Sequence, residues 1–254
     1  MRRSVIAAWS AAVLGIILQP ARPAHAQRGE VHILVSNGVK AVVDELRPQA
    51  ERAIGHPLTI EFGTTSALKQ KIEAGGSFDA TFLTSDAVAD LVKSGKLAGS
   101  TDLARCGIGM GAKAGTPKPD IRTPEALKET LHKAKAITYA QDGASRVFIE
   151  KMMGGFGIAE QMKARTILVP GSVKANELVA AGKADYILTL VSEILPAPGV
   201  ELIGPLPQQV QNYISFSAGV SAKAAHAENG KALVQFFKGP AAAAVYKAKG
   251  LEAR

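Results

Sequence analysis

The chain predicts an α/β fold in two lobes, on three observations. Short apolar β-like runs alternate with helix-like runs along most of its length, which is the pattern of parallel α/β architecture. Four of the β-like runs end in Gly with Ser, Thr or Asn just ahead of a helix, as strand-to-helix turns do. Finally, the Gly-rich "LARCGIGMGAKAG" (103–115) leaves one set of strands and the Pro-containing "GPLPQQVQNYISFSAGV" (204–220) returns to it. A lobe of residues 106–207 is thus expected as an insertion into a first lobe made of residues 27–105 plus 208–254.

The N-terminus is set apart. Arg2 and Arg3, the apolar run from Val5 to Leu18 and Ala24-His25-Ala26 read as a secretory signal over residues 1–26, cleaved after Ala26. The apolar run is 14 residues long, short of the roughly 20 that span a bilayer, and no Cys follows to take a lipid. An exported chain without stable membrane insertion is expected. Losing Arg2, Arg3 and Arg22 lowers the formal net charge from +8 to +5. The remaining lysines are scattered and aromatics are only 5%, so no nucleic-acid partner is expected, since such binding needs a basic stripe with stacking aromatics.

The elements follow in order. "VHILVS" (31–36) is a first strand, and Lys40 to Ile54 a helix with Val43, Leu46, Ala50 and Ile54 on one face. "LTIEFG" (58–63) is the next strand, and Ser66 to Ala74 a helix that aligns Leu68 with Ile72. "FDATFL" (78–83) and "CGIGMG" (106–111) are strands. "TPEALKETLHKA" opens with Thr123 as N-cap, Pro124 at the first helical position and Glu125 in the first turn. "AITYA" (136–140) is a strand, and "SRVFIEKMMGGFG" a helix that starts behind Ser145 and stops at Gly154-Gly155. "TILVP" (166–170) precedes the helix "KANELVAAGKAD", which ends at Gly182. "DYILTL" (185–190), "VELIG" (200–204) and "YISFSAGV" (213–220) are strands, and the Ala-rich "GPAAAAVYKAKG" is a terminal helix from Pro240 to Gly250.

In α/β sheets ligands bind outside the carboxyl ends of strands, where helix N-termini aim free N–H groups. Four such ends carry small donors: Ser36-Asn37-Gly38, Gly63-Thr64-Thr65-Ser66, Gly143-Ala144-Ser145-Arg146 and Gly171-Ser172-Val173. One hydroxyl caps a helix, whereas three in a row exceed that need, and the set suits an oxyanion. Arg146 lies just inside a helix start, where a cation opposes the macrodipole. Its functional reading is a guanidinium that clamps a ligand carboxylate. Asp142, Glu61 and Glu193 are acids near these loops that act as bases only if buried with shifted pKa values. No nucleophile elbow, P-loop or dinucleotide fingerprint is present. Cys106 has no partner for an internal disulfide and reads as a buried structural thiol. The five histidines show no paired metal spacing, so neither a metal nor a cofactor is expected.

Together these motifs resemble the periplasmic molybdate-binding proteins of ABC importers and the wider extracellular solute-binding proteins. The resemblance runs from Val31 to Glu252 through "VSNGV", "FGTTSALKQKIEAGGSFDATFLTSD", "LVKSGKL", "LVAAGKADYILTLVSEIL" and "GVELIGPLPQQVQNYISFSAGV". It implies a type II periplasmic binding protein, monomeric, with two lobes that are each a mostly parallel sheet flanked by helices. It also implies a cleft that closes on a small anion and an ABC permease as partner. Carried over, the family's first loop falls on Ser36 and Asn37, the second on Thr65 or Ser66 with Thr64 adjacent, and a further contact on Ser172 or Val173.

The chain departs from the molybdate pattern in the second lobe. It has Gly143-Ala144-Ser145-Arg146 in place of Pro-Ala-Gly, and Leu190 in place of a ligand-contacting Tyr. That exchange favours an organic carboxylate, held by Ser36, Asn37, Thr64, Thr65, Ser66, Ser145, Arg146, Ser172 and Val173. The same scaffold resembles periplasmic aconitate isomerase, so a cofactor-independent isomerase of a small tricarboxylic acid is the alternative. A molybdate or tungstate carrier is the third reading.

Overall fold

The computed structural model describes residues 29–254, so the signal expected over residues 1–26 lies outside the described residues. β1 (Val31–Ser36) runs parallel between β2 (Leu58–Gly63) and β3 (Ala80–Thr84). Both faces of β1 are covered, which is why its sequence is a nearly unbroken apolar run; Ile33, Leu34 and Val35 are fully buried. α1 (Lys40–Ile54) turns Val42, Val43, Leu46 and Ala50 inward and ends at Gly55, whose φ of 70° is the left-handed stop that glycine adopts without strain. α2 (Thr65–Glu73) and α3 (Ser85–Lys93) follow β2 and β3 directly.

The second set mirrors the first. α4 (Pro124–Lys133) begins behind Thr123, whose hydroxyl accepts the Ala126 N–H at 3.2 Å, as its sequence predicts. β5 (Ile137–Ala140) lies parallel between β6 (Thr166–Val169) and β7 (Tyr186–Leu190). α5 (Arg146–Gly155), α6 (Ala159–Lys163), α7 (Gly171–Ala180) and the single turn α8 (Val191–Ile194) alternate with these strands.

Two long strands join the sets. β4 (Thr101–Lys113) pairs antiparallel with β9 (Tyr213–Val220) up to Gly107, then with β7 from Ile108 and with β8 (Val200–Pro205) from Gly109. β9 also pairs with β3, and the spatial order is β2-β1-β3-β9-β4-β7-β5-β6. The flanks of the sheet are therefore parallel and its centre antiparallel. α9 (Ala227–Lys238) and α10 (Pro240–Ala248) pack against α1, and β10 (Leu251–Ala253) adds to β4.

Two expectations are corrected here. The strand expected over 106–111 is the middle of a strand twice as long, because each of its ends is paired by a different neighbour. The helix expected from Lys174 begins at Gly171, so Ser172 and Val173 stand in its first turn rather than ahead of it.

The largest apolar cluster runs from Val31, Phe82 and Phe216 through Met110 and Leu190 to Tyr139 and Ile149, across both halves of the sheet. Each such side chain contributes roughly 1.5–3 kcal/mol on burial. Cys106 belongs to it; burial pushes its thiol pKa up, as suits an unreactive structural residue.

Candidate functional site

Carboxyl ends of five strands, two from one parallel set and three from the other, converge on a cavity of about 20 Å³ where the two halves of the sheet meet. Ser36, Asn37 and Gly38 enter from behind β1, and Thr64 and Thr65 from behind β2. The other half contributes Ala140, Gly143, Ala144 and Ser145, then Ser172 and finally Leu190 with Glu193.

The first half is organised by its own hydroxyls. Ser36 caps the short 3-10 turn Asn37–Val39, accepting the Gly38 N–H at 3.4 Å. Thr64 is the N-cap of α2 and accepts from Ala67 N at 3.3 Å. Thr65 donates to Ser36 Oγ at 3.2 Å and accepts the Thr84 N–H at 3.3 Å, which ties the ends of β1, β2 and β3 together. Ser66 is exposed and does not line the cavity.

Across from these, Ser145 is buried at the start of α5 and makes no cap bond to its own helix. Ser172 is buried in the first turn of α7. Asp142 bridges the halves: its carboxylate accepts the Thr64 hydroxyl at 2.9 Å and the Gly171 N–H at 3.0 Å. A second bridge runs from Ser192 Oγ to the Gly38 carbonyl at 2.7 Å.

Arg146 does not reach the cavity. Its guanidinium donates to Glu150 at 2.8 Å and to the Gln141 carbonyl at 2.7 Å. The compensation that its position at a helix start calls for is thus one helical turn away. Val173 is 58% exposed and lines a neighbouring, larger cavity instead. Glu61 is engaged by Lys71 at the surface. Of the nine residues expected to hold ligand, Ser36, Asn37, Thr64, Thr65, Ser145 and Ser172 meet at the cavity, while Ser66, Arg146 and Val173 stand outside it.

Among the described residues no Lys or Arg lines this cavity, and its one acidic lining residue is Glu193. The Glu193 carboxyl accepts a hydrogen bond from the Thr189 hydroxyl and lies near the Ser172 hydroxyl and the Leu190 N–H. Burial raises its pKa first of all; the two hydroxyls pull it down, and the nearby Asp142 charge raises it again. Thus of the three acids noted near the loops, Glu193 is the one that lines the cavity and whose pKa is shifted upward. The signal for it was the acid in the first turn behind "DYILTL", a fifth strand end. Asn37, Ser172 and Glu193 also line the larger cavity of about 690 Å³ between α1, α7 and α8. In its wall Asn176 donates to the carbonyls of Ser172 and Glu193, both at 3.0 Å, and its buried Oδ1 has no partner.

Chemically, the site presents hydroxyls and helix-start N–H groups on two opposed walls, with an apolar patch from Ala140, Ala144 and Leu190 between them. No group of three or more His, Cys, Asp or Glu side chains suited to a metal gathers among the described residues. No helix among them is long and apolar enough to cross a membrane.

Comparison with known proteins gives a consistent picture. The family model described as bacterial extracellular solute-binding protein matches residues 31–252. An aconitate isomerase of Pseudomonas sp is 28% identical over 228 residues, 87% of this chain and 86% of that protein. The molybdate-binding protein ModA of Azotobacter vinelandii is 24% identical over 236 residues, 89% of this chain and 90% of that protein. The solved periplasmic molybdate-binding protein of Azotobacter vinelandii superposes with a TM-score of 0.74 at 17% identity, covering 87% of this chain and 98% of that one.

Proposed function

Because the chain belongs to the bacterial extracellular solute-binding proteins, we propose that it captures a small organic carboxylate in the periplasm and delivers it to an ABC-type permease. The observation that carries this reading is the meeting of Ser36, Asn37, Thr64, Thr65, Ser145 and Ser172 from both halves of the sheet around one cavity. Neutral donors and helix starts stabilise an anion without a counter-ion, because each N–H or O–H contributes a fixed dipole that water no longer screens. A tetrahedral metal oxyanion calls for donors on every side. The wall of Ala140, Ala144 and Leu190 instead suits a guest with a carbon body between its acidic groups. With Arg146 turned to Glu150, this apolar wall and not a guanidinium is the argument for a carboxylate over molybdate or tungstate.

Residues 27–105 with 208–254 form one lobe in this reading and 106–207 the other, since β4 changes partners at Gly107 and Ile108. A cavity of about 20 Å³ has room for about one water and not for a small organic acid. The guest therefore enters by hinge opening along β4 and the segment between β8 and β9. Export by the N-terminal signal and action as a monomer belong to the same proposal.

A second reading, an isomerase of a small tricarboxylic acid, is favoured by Glu193, a half-buried carboxyl at the cavity able to carry a proton to or from carbon next to a bound carboxylate. One experiment addresses both. Calorimetry with molybdate, sulfate, citrate and cis- and trans-aconitate is expected to show binding of carboxylates, weakened at least about tenfold by Thr65→Val. Absorbance of the aconitate mixtures reports turnover. Binding of molybdate alone would overturn the carboxylate reading, and binding without turnover would reject the isomerase.

A further inference from the structure

We propose that the cleft takes up its anion together with one proton, held by Glu193, which faces the guest as a neutral acid and donates a hydrogen bond to it. The proposal rests on the anion-binding reading above and adds a coupling to that site.

The geometry is that of a carboxyl without a counter-ion. Glu193 lines the small cavity beside Ser172 and opposite Ser36 and Thr65. The Thr189 hydroxyl, which can donate to a carboxylate or accept from an acid, is hydrogen-bonded to its carboxyl, and the Ser172 hydroxyl and the Leu190 backbone N–H lie near it as further neutral groups. The charged and titratable groups on the elements packed around it offer no cation. Asp142, on the loop behind β5, is a second acid, held by the Thr64 hydroxyl, and supplies no cation. From α1, Lys40 is engaged by Asp44 and lies over the Phe62 ring at 4.0 Å. From α7, Glu177 is paired with Lys174 at 2.7 Å. From β4, Cys106 is a buried thiol.

An arriving anion would therefore meet a second negative charge at contact distance with no cation to offset it, and the two would repel. A proton on Glu193 removes that repulsion and turns the same oxygen into a donor, so anion and proton bind with positive coupling. The proton comes from solvent and returns to it on release. The upward direction of the Glu193 pKa, caused first by burial, agrees with this. For a guest whose own charge does not change with pH, linkage then fixes the behaviour: affinity is level below the Glu193 pKa and falls by up to about tenfold per pH unit above it.

The test uses the full chain and sulfate, citrate and cis-aconitate as probes. Calorimetric titrations between about pH 5 and 8, each in two buffers of different ionisation enthalpy, read affinity and proton uptake together. Wild type is expected to take up as much as about one proton per anion and to weaken as pH rises. Glu193→Gln keeps a donor and cannot titrate; it is expected to shift the affinity and to abolish both the slope and the uptake. Binding by wild type that is flat with pH and free of proton uptake across this range would overturn the proposal. So would a folded Glu193→Gln protein that no longer binds, because that result requires the ionised form. A ligand-free readout separates the two levels of inference. The infrared carbonyl stretch of a protonated carboxylic acid is expected in wild type at the acid end of this range, to fade as pH rises through it, and to be missing from Glu193→Gln. Its absence overturns the proposal even if anions bind, whereas its presence without binding of any probe removes the anion-binding reading instead.

Discussion

Arg146 opens α5, where a cation opposes the helix dipole, and Glu150 answers it four residues on at 2.8 Å. Side chains that are 37% and 43% exposed make this a surface pair, worth about 0.3–0.5 kcal/mol. Arg146→Ala is accordingly expected to leave anion affinity within about twofold of wild type, measured by calorimetry. A loss of tenfold or more would return the guanidinium to the cleft. The i,i+4 partner was written in the sequence, but the direction of a long side chain with four rotatable bonds was not. Ser36, Asn37, Thr64, Thr65, Ser145 and Ser172 were legible because a short side chain just behind a strand end can go almost nowhere else. Ser66 differs from Thr65 by one residue, about 100° around a helix, and that rotation carries it to solvent. Glu193 was harder to read, since its burial comes from β7, α7 and α8 together, and no local pattern records such a meeting.

At the scale of elements, Thr64 and Thr123 show the same cap serving two purposes. Each accepts an N–H three residues on, from Ala67 at 3.3 Å and Ala126 at 3.2 Å. Thr123 has no role at the cavity, so Thr123→Ala is expected to cost about 1 kcal/mol of stability, roughly 2–4 °C in Tm for a chain of this size, with affinity unchanged. Thr64→Ala removes a cap and the donor to Asp142 as well, and is expected to lower both melting temperature and affinity; equal effects of the two variants on binding would refute the distinction. Several of the longer elements were legible for related reasons, although α3 and α9 were not. β1, β2 and β9 start and end where their apolar patterns do, and α1 matches its three-to-four spacing from Lys40 to Ile54. The segments β10, α6 and α8 have three, five and four residues, too few for a period to show, and they exist because neighbouring strands and helices hold them. In β4 only the centre, 106–111, reads as strand; residues 101–105 and 112–113 are drawn into it by pairing with β9 and β8. Gly109 and Gly111 sit where a Cβ would come within 3.0 and 2.9 Å of Val191 and Ile194, so these glycines serve close packing of α8 on the strand and not a turn.

For the whole molecule, the question is what holds the two halves together before any guest arrives. Asp142 is a carboxylate on donors of the kind a bound carboxylate would use, the Thr64 hydroxyl from one half and the Gly171 N–H beside it in the other. Hydrogen bonds to an ionised group contribute about 1.5–3 kcal/mol each. Only the Thr64 bond crosses between the halves, so Asp142 favours the shut form by no more than a few kcal/mol. That is enough to make closure dominant in a two-state equilibrium, yet small enough for hinge motion to admit a guest. Asp142→Ala should then open the unliganded protein: its radius of gyration by small-angle scattering is expected to rise above that of wild type and to fall back on addition of a binding anion. Affinity should drop as well, because the guest must then drive closure that Asp142 had already favoured. Were scattering from Asp142→Ala and wild type superimposable without ligand, the remaining bridge from Ser192 to Gly38 and the continuous apolar cluster through β4 and β9 would be the source of closure, and Asp142 would only position the loop behind β5.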